Sequence, residues 1–314
     1  MMETRTLSGP PSVVPLYVRA AAPLVPGASL LPFVPGRSKE IPELELTLAG
    51  VRVDPDEVAA YARVCGFSLR DHLPPTYPHV LAFPLHMALM ADGGFPFGAV
   101  GLVHIENQIV QQRRIGLGEE LELRVSPTKL EPHPKGRTFT LVTEARVNGQ
   151  KVWEGFSTML RRGHAKQPAD GTKRGDIGRK SARRPAEGDD LNPSAEWRLG
   201  GDLGRRYAAV SGDRNPIHMH SLAARALGFR AAIAHGMWTK ARCLAAIESR
   251  LPEAFAVDVD FRKPIFLPGR VEFMCGAKDG EIGFAVRNAK EKTPHLAGRA
   301  RPVESKSRSE RKAQ

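Results

Sequence analysis

A carboxylate and an imidazole stand five residues apart in one turn-forming stretch of the sequence. Asp213 and His218 lie in Ser-Gly-Asp-Arg-Asn-Pro-Ile-His, residues 211–218, and a second small polar turn, Ala234-His235-Gly236, follows further along. The segment after Gly236 has the apolar spacing of a helix, so backbone amides are available at its start. A paired acid and base beside such amides are the groups that adding or removing water next to a carbonyl requires. The stretch therefore predicts an enzyme.

The same residues are compatible with other roles. Asp213 before Asn-Pro is also typical of a turn carboxylate that hydrogen bonds its own backbone, and His218 of a loop histidine. Asp213, His218, His220 and His235 are together compatible with a metal site, because His-Met-His is a possible chelate. The sequence supplies no second ordered ligand pair, so we expect no metal. His220 has no assigned role.

Helix signals and strand signals are arranged alike in the two halves of the chain. Asp54 as N-cap, Pro55 in the first turn and Gly66 at the end predict a helix in the first half. In the second half we predict helices over residues 202–210, over 222–227 with Ser221 as cap, and over 237–250, the longest of that half. Apolar and polar residues then alternate, which predicts antiparallel strands with one buried face; these runs are 102–105, 121–124, 138–147, 152–160, 257–261, 270–273, 282–286 and 296–300. One buried helix wrapped by an antiparallel sheet, twice, is an α+β arrangement.

The two halves also resemble each other in sequence. Tyr-Ala-Arg-Val-Cys-Gly at 61–66 matches Tyr-Ala-Ala-Val-Ser-Gly at 207–212, the helical run from Ala82 matches that from Ala234, and a turn before a strand recurs at 114–123 and 264–273. The matches keep their order, at offsets of 146, 152 and 150 residues. A nearly constant offset indicates a duplicated unit of about 150 residues.

The second-half motif resembles a known family. Residues 207–218 followed by Ala-His-Gly-Met look like the hydratase motif of MaoC-like dehydratases, the (R)-specific enoyl-CoA hydratases with a hot-dog fold. Leu-Pro-Pro-Thr-Tyr-Pro at 73–78 and Gly-Leu-Val-His-Ile-Glu-Asn at 101–107 resemble the mycobacterial double hot-dog (R)-3-hydroxyacyl-thioester dehydratases of the HtdX type. The similarity covers roughly residues 40–302 without the central basic segment. It implies a double hot-dog fold.

The resemblance implies roles for individual residues. Asp213 and His218 would hold one water and deliver its hydroxyl to C3 of a trans-2-enoyl thioester, giving the (R)-3-hydroxyacyl thioester reversibly. The amide of Gly236 would bind the thioester oxygen, Asn215 would help to hold the loop, and Ser211 and His235 would lie near the substrate. No metal, redox group or other cofactor is expected. The first half has Cys-Gly-Phe-Ser-Leu at 65–69 where the motif would stand, so it is expected to be catalytically silent.

In double hot-dog relatives the silent half makes room for the acyl chain. The residues that would line such a space here are Phe67, Leu73, Tyr77, Phe83, Phe95 and Phe97. Plain core packing is an equal alternative for each of them. Lys240, Arg242, Arg262 and Lys263 would meet the phosphates of CoA or an acidic carrier protein, or are simply scattered surface cations.

Two other functions fit the same fold. A thioesterase would release a free thiol from acyl-CoA, although the long motif argues against it. A non-catalytic acyl-thioester binding subunit would bind without turnover, although the intact Asp213 and His218 pair argues against that. The substrate class expected in all three cases is a thioester of CoA or of an acyl carrier protein.

The net charge of +12 is concentrated in two segments. Residues 161–184 carry nine Lys or Arg against two Asp, a net +7, and residues 299–314 carry six against two Glu, a net +4. Neither has apolar periodicity or the interleaved aromatics that base stacking requires, so we expect a solvated linker and tail and no nucleic-acid partner. The predicted organisation is an extension at 1–39, a hot-dog unit at 40–162, a flexible basic linker at 163–193, a second unit at 194–303 and a basic tail at 304–314.

The remaining features concern location and assembly. Three scattered cysteines suit a reducing compartment. Prolines break every apolar run in the first 37 residues, so neither a spanning helix nor a secretory signal is expected, and the predicted location is the cytoplasm with no membrane partner. A double hot-dog unit imitates a dimer within one chain, so a monomer and a homodimer both remain open.

Overall fold

The computed structural model describes residues 2–21, 35–36, 38–99, 101–163 and 191–303. The predicted tail at 304–314 and most of the predicted linker, residues 164–190, lie outside the described residues. The described residues of the first half form these elements: β1 (Glu3–Leu7), α1 (Val13–Ala21), β2 (Leu44–Val51), α2 (Pro55–Cys65), α3 (Tyr77–Met90), β3 (Leu102–Gln111), β4 (Leu121–Pro127), β5 (Glu131–His133), β6 (Gly136–Val147) and β7 (Gln150–Arg162).

The second half repeats the order of β2, α2, α3, β3, β4, β6 and β7, with two additional short helices. Its elements are β8 (Asn192–Leu199), α4 (Leu203–Ser211), α5 (Pro216–Met219), α6 (Ser221–Ala226), α7 (Gly236–Ala246), a 3-10 turn (Glu248–Arg250), β9 (Phe255–Phe261), β10 (Gly269–Lys278), β11 (Glu281–Asn288) and β12 (Pro294–Pro302). Within the described ranges, every helix is too short or too polar to traverse a bilayer.

The described strands form one continuous sheet with mirrored halves. Their order is β1-β2-β4-β6-β7-β3-β9-β12-β11-β10-β8, with β5 beside β6. Outward from the central β3–β9 pair, the order β7-β6-β4-β2 on one side matches β12-β11-β10-β8 on the other. The pairs are antiparallel except for β1 with β2. The prediction of an α+β chain made of two similar units is confirmed, while the exact unit boundaries stay predictions; β8 begins at Asn192, inside the predicted linker.

Local sequence signals explain both ends of α2. Asp54 accepts a hydrogen bond from the amide of Asp56 at 2.8 Å, and Gly66 ends α2 in the left-handed region, as predicted. The predicted cap at Ser221 is wrong: the N-cap of α6 is His220, and the Ser221 hydroxyl instead accepts from the amide of Ala232. The predicted helix over 237–250 is also shorter than expected. It ends at Ala246, before the 3-10 turn, but with 11 residues it is still the longest helix of the second half, as predicted.

The N-terminal segment is part of the fold rather than a separate extension. β1 adds a parallel strand to the edge of β2, and Arg5 forms an ion pair with Asp92 at 3.0 Å, just beyond the end of α3. α1 lies against α3, and its residues Val13, Leu16 and Tyr17 pack onto the core. The first 21 residues contain no sequence motif that predicts this packing.

A buried lysine joins the two halves. Lys240 is fully buried, and its ammonium donates to Asn107 Oδ1 at 2.5 Å and to the carbonyls of Asn107 and Val257, which lie on the paired strands β3 and β9. The interpretation of Lys240 as a surface cation for CoA phosphates is therefore wrong. α7 is further tied to the first half by Trp238, whose indole donates to the carbonyl of Val64 at 3.1 Å.

The ionisation of Lys240 is expected to make stability depend on pH. Burial lowers the pKa of Lys240 to about 7, against the opposing influence of Asp258. The unfolded lysine keeps its proton to about pH 10, so between about pH 7 and pH 10 the unfolded state binds more protons and the stability conferred by this group rises with pH. Replacing Lys240 with Met is expected to remove a slope of about 1 kcal/mol per pH unit from the free energy of unfolding. Urea denaturation across that window measures it.

Lys263→Met is the matched control because Lys263 is exposed. It is expected to leave the pH slope as in the wild type. Identical slopes for Lys240→Met and the wild type would show that Lys240 does not lose its proton in the folded protein at these pH values.

Candidate active site

The turn that carries Asp213 is held by short-range hydrogen bonds. α4 ends at Ser211, and Gly212 takes φ 74°, a left-handed conformation that glycine adopts without strain. The amide of Asp213 donates to Ser211 Oγ at 3.3 Å, and Asp213 Oδ1 accepts from the amide of Asn215 at 3.1 Å. Ser211 is buried, and the Asp213 side chain is 28% exposed. The carboxylate is thus held on a rigid turn with one part still open.

Asn215 and Pro216 start the short helix that positions His218. Asn215 Oδ1 accepts from the amide of Ile217 at 3.3 Å, and proline fits the first position of a helix. His218 Nδ1 lies 2.8 Å from the carbonyl oxygen of Ile233, so Nδ1 is the donor and carries the proton. His218 Nε2 is then an unprotonated acceptor.

His235 links the Asp213 turn to the start of α7. It occupies the N-cap position of α7 and is buried. Its Nε2 donates to the backbone carbonyl of Asp213 at 3.0 Å and lies 3.8 Å from Asp213 Oδ2. Its ring stacks on His218 with centroids 3.7 Å apart and lies 4.8 Å from Tyr207. His235 therefore fixes the Asp213 backbone and orients the His218 ring.

Gly236 begins α7 beside an aromatic ring. The first amides of a helix have no carbonyl acceptor within the helix, and they lie at the positive end of its dipole. A Cβ at Gly236 would come 3.1–3.3 Å from the Phe261 ring, so a side chain would crowd this approach. The amide at Gly236 is therefore well placed to bind an oxygen that gains negative charge.

The electrostatics make Asp213 anionic and both histidines neutral at pH 7. Burial acts to raise the pKa of Asp213, but His235, His218, the Tyr17 hydroxyl and the Asn215 amide together bring it below its usual value. Burial lowers the pKa of His218, while Asp213 and the Ile233 carbonyl partly oppose the change. Burial also lowers the pKa of His235 to about 3. The site therefore presents two acceptors, a carboxylate and an imidazole nitrogen.

Asp213, His218 and His235 each place a polar atom within 4.8 Å of those of the other two. A carboxylate oxygen and an imidazole nitrogen at this separation can share one water, because each hydrogen bond spans about 2.8 Å. The same cluster contains three of the four residues of the possible metal site, Asp213, His218 and His235. His220 is not part of the cluster. His218 Nδ1 and His235 Nε2 are bonded to carbonyl oxygens, so each ring has one nitrogen left, His218 Nε2 and His235 Nδ1.

The predicted acyl-chain residues divide into two groups. Phe67, Leu73, Tyr77 and Phe95 are buried in the core in contact with other side chains. Phe83 and Phe97 are half-buried. Phe83 on α3 lies next to the Asp213 turn, since a Cβ at Gly212 would meet its ring at 3.7 Å. Of the six, Phe83 is therefore the one that borders the candidate site.

Sequence reasoning missed several residues near Asp213. The Tyr17 hydroxyl donates to Asp213 Oδ1 at 2.7 Å, across 196 residues of sequence. His79 and His104 also interact electrostatically with Asp213, and burial lowers their pKa values to about 4 and about 3. His104 stands in the segment 101–107 that carries the family resemblance, and its ring lies 4.9 Å from Phe261. Nothing in the sequence around Tyr17 pointed to the site.

The other proposed phosphate-binding cations lie at the surface or partly covered. Arg242 stacks over the ring of Trp197, 4.9 Å from its centroid. Arg262 and Lys263 are exposed just after β9. Their distribution does not by itself define a phosphate site.

Comparisons with known proteins agree in pointing to one family. Residues 186–298 match the model of the MaoC like domain. The chain is 37% identical over 297 residues to 3-hydroxyacyl-thioester dehydratase X of Mycobacterium tuberculosis, covering 93% of this chain and 98% of that protein. The crystal structure of HtdX from that organism aligns with a TM-score of 0.71 and 35% identity, over 82% of this chain and all of the other.

A more distant structure bears on the fold alone. A conserved hypothetical protein from Mycobacterium tuberculosis, described as having a double hot-dog fold, aligns with a TM-score of 0.54 and 13% identity, over 80% of this chain and 95% of the other. Together with the mirrored sheet, this confirms the double hot-dog prediction.

The interaction between Asp213 and His218 is expected to appear in the titration of His218. Because the negative charge of Asp213 raises the pKa of His218, Asp213→Asn is expected to lower that pKa further. NMR titration of histidines labelled at Cε1, with the His218 signal assigned by its loss in His218→Gln, measures the change. Asp202→Asn, on an exposed residue at the other end of α4, is the control. An unchanged His218 pKa in Asp213→Asn would mean that the two groups do not share one environment.

Proposed function

The chain belongs to the MaoC-like dehydratase family, and we propose that it catalyses the reversible hydration of trans-2-enoyl thioesters to (R)-3-hydroxyacyl thioesters. The observation that carries this proposal is the pairing of an ionised Asp213 with a neutral His218, close enough to share one water, beside the start of α7. The relative with 37% identity is named a 3-hydroxyacyl-thioester dehydratase, which agrees with this chemistry.

In the hydration direction the pair activates the shared water. The water donates one hydrogen bond to Asp213 and one to His218 Nε2. As its oxygen bonds to C3 of the enoyl thioester, one of the two groups takes a proton from it, and the C2–C3 π electrons move onto the thioester oxygen. The enolate then collapses as the pair returns a proton to C2 on the same face. One water is consumed, and both side chains recover their starting protonation.

The thioester oxygen needs stabilisation while it carries charge. The amide of Gly236, at the positive end of α7, is the proposed donor; one such donor typically contributes about 3 kcal/mol. In the dehydration direction the same groups act in reverse, since the pair removes the C2 proton and protonates the departing C3 hydroxyl. Asn215, Ser211 and His235 hold the turn and the rings in place and are proposed as supporting residues.

The first half is proposed to accommodate the acyl chain. Phe83 of α3 borders the Asp213 turn, which supports a path for the chain along this helix. Phe97 is half-buried against Phe95 and Phe139 and is a candidate further along. Phe67, Tyr77 and Phe95 are proposed to act only through the packing that supports such a path, because their side chains are buried in the core.

The cellular location, the oligomeric state and the binding of the carrier group are proposed from other parts of the molecule. We propose a cytoplasmic location, supported by three free cysteines, Cys65, Cys243 and Cys275. The β3–β9 pairing builds the two-unit sheet within one chain, which supports a functional monomer. Exposed Arg262 and Lys263 would suit the phosphates of CoA or an acidic carrier protein.

Removing either member of the pair is expected to abolish most of the activity. Asp213→Asn and His218→Gln are each expected to lower kcat by about 10²–10⁴-fold, because each removes a group that handles the proton. The assay is the loss of conjugated enoyl absorbance when protein is added to crotonyl-CoA, followed by chiral analysis of the 3-hydroxybutyryl product.

Asp202→Asn and His220→Gln are the matched controls, on exposed residues near the motif. Both are expected to keep wild-type turnover. Wild-type rates in Asp213→Asn or His218→Gln would overturn the assignment of these residues. Release of free thiol in place of absorbance loss would indicate a thioesterase, and tight binding without turnover would indicate a binding subunit.

A larger side chain at position 83 is expected to disfavour substrates with long acyl chains. Phe83→Trp is expected to reduce kcat/KM for a long-chain enoyl-CoA about 10-fold more than for crotonyl-CoA, since a short chain does not reach past the turn. Leu69→Trp, on a side chain that is 65% exposed in the same half, is the control. An equal loss for short and long substrates would exclude this path for the chain.

A further inference from the structure

We propose that Tyr17 is a positioning residue of this reaction, whose hydroxyl holds the Asp213 carboxylate in the orientation that receives the water. The inference rests on the proposed function. It is carried by one contact, the hydrogen bond of 2.7 Å from the Tyr17 hydroxyl to Asp213 Oδ1. No other side-chain hydroxyl in the described parts of the chain donates to this carboxylate.

The hydrogen bond from Tyr17 gives the two oxygens of the Asp213 carboxylate different roles. Oδ1 accepts from Tyr17 and from the amide of Asn215, so its lone pairs are occupied. Oδ2 lies on the side of His235, 3.8 Å from Nε2, which already donates to the Asp213 carbonyl. Oδ2 is therefore the oxygen left for the water, and rotation of the carboxylate would break two hydrogen bonds.

The N-terminal segment is anchored well enough to hold the hydroxyl still. β1 is paired along its length with β2, and the ion pair of Arg5 with Asp92 joins β1 to the end of α3. On α1, Leu16 packs onto the core beside Tyr17, while Val14 and Val18 face outward. The hydroxyl therefore reaches the site from a docked helix rather than from a free end.

Tyr17 acts as a hydrogen-bond donor and not as a proton source. Burial and the negative charge of Asp213 raise the pKa of Tyr17 well above its usual value, and the backbone amides of Arg214 and Asn215 oppose this only in part. A phenol that keeps its proton stabilises the ionised carboxylate and lowers the pKa of Asp213. The other titratable groups that act on Asp213 are Tyr207, His218, His235, His79 and His104.

The sign of the pH effect follows directly. Without the hydroxyl, Asp213 loses a donor that favours its charged form, so its pKa rises. The carboxylate must be ionised and His218 must be neutral to hold the water, so the acidic limb of the rate profile contains a step for each group. The Asp213 step of that limb is expected to move to higher pH. The orientation of the carboxylate is also lost, which is expected to lower kcat more than it changes KM.

The test is Tyr17→Phe, which removes only the hydroxyl. We expect kcat for crotonyl-CoA to fall about 10-fold, with KM nearly unchanged and the acidic limb of kcat against pH displaced upward. Leu16→Ala is the control for docking of α1, because it loosens packing and leaves the hydroxyl in place. It is expected to lose thermal stability without moving the acidic limb.

A second readout does not depend on turnover. The Asp213 carboxyl carbon, labelled with ¹³C and identified by its absence in Asp213→Asn, is titrated by NMR in wild type and Tyr17→Phe, and its pKa is expected to be higher in the variant. If the wild type shows no hydration of any enoyl thioester, the proposed function fails while this titration still tests the contact. An unchanged carboxyl pKa, an unmoved Asp213 step in the acidic limb, or a gain in activity in Tyr17→Phe would overturn the inference.

Discussion

The candidate site depends on one carboxylate, that of Asp213, staying charged although it is largely buried. Burial alone would favour the protonated form of Asp213, and a protonated carboxyl group is a weaker acceptor for the water than a carboxylate and cannot act as a base. The opposing influences come from four different parts of the chain: the α7 N-cap, α5, α1 and the amide of the turn itself. Each of these elements must dock in its place before the carboxylate is both ionised and oriented.

The two halves of the duplicated fold differ at the turn that carries Asp213 in the second half. α3 and α7 are equivalent helices in the mirrored sheet, and each lies beside the turn of the opposite half. In the second half the ring of Phe83 from α3 lies beside Gly212. In the first half Arg242 from α7 fills the equivalent space so closely that a Cβ at Gly66 would overlap its guanidinium. The position of that cation and the lack of the motif at 65–69 support the proposal that the first half is catalytically silent.

Sequence reasoning succeeded where the signal is local. The capping of α2 depends on residues within one turn of each other. The alternation of apolar and polar residues in the strands depends on neighbours two positions apart. Both can therefore be predicted from the sequence. Asp213 and His218 belong to the same continuous motif. The role of Lys240 could not be predicted, because its acceptors Asn107 and Val257 come from strands of both halves. A lysine is normally found at the surface, and only the junction of β3 with β9 makes its burial tolerable.

The role of Tyr17 could not be predicted from the sequence either. It lies in a proline-containing segment with no resemblance to the motif, and its partner is 196 residues away. The contact exists because β1 continues the sheet at its outer edge, far from the β3–β9 junction, while α1 crosses back over α3 to the turn of the second half. α3 thus supports the site twice, by placing Phe83 beside Gly212 and by carrying the helix that supplies the hydroxyl. The first half, which lacks the motif, in this way still contributes residues that contact the Asp213 turn of the second half.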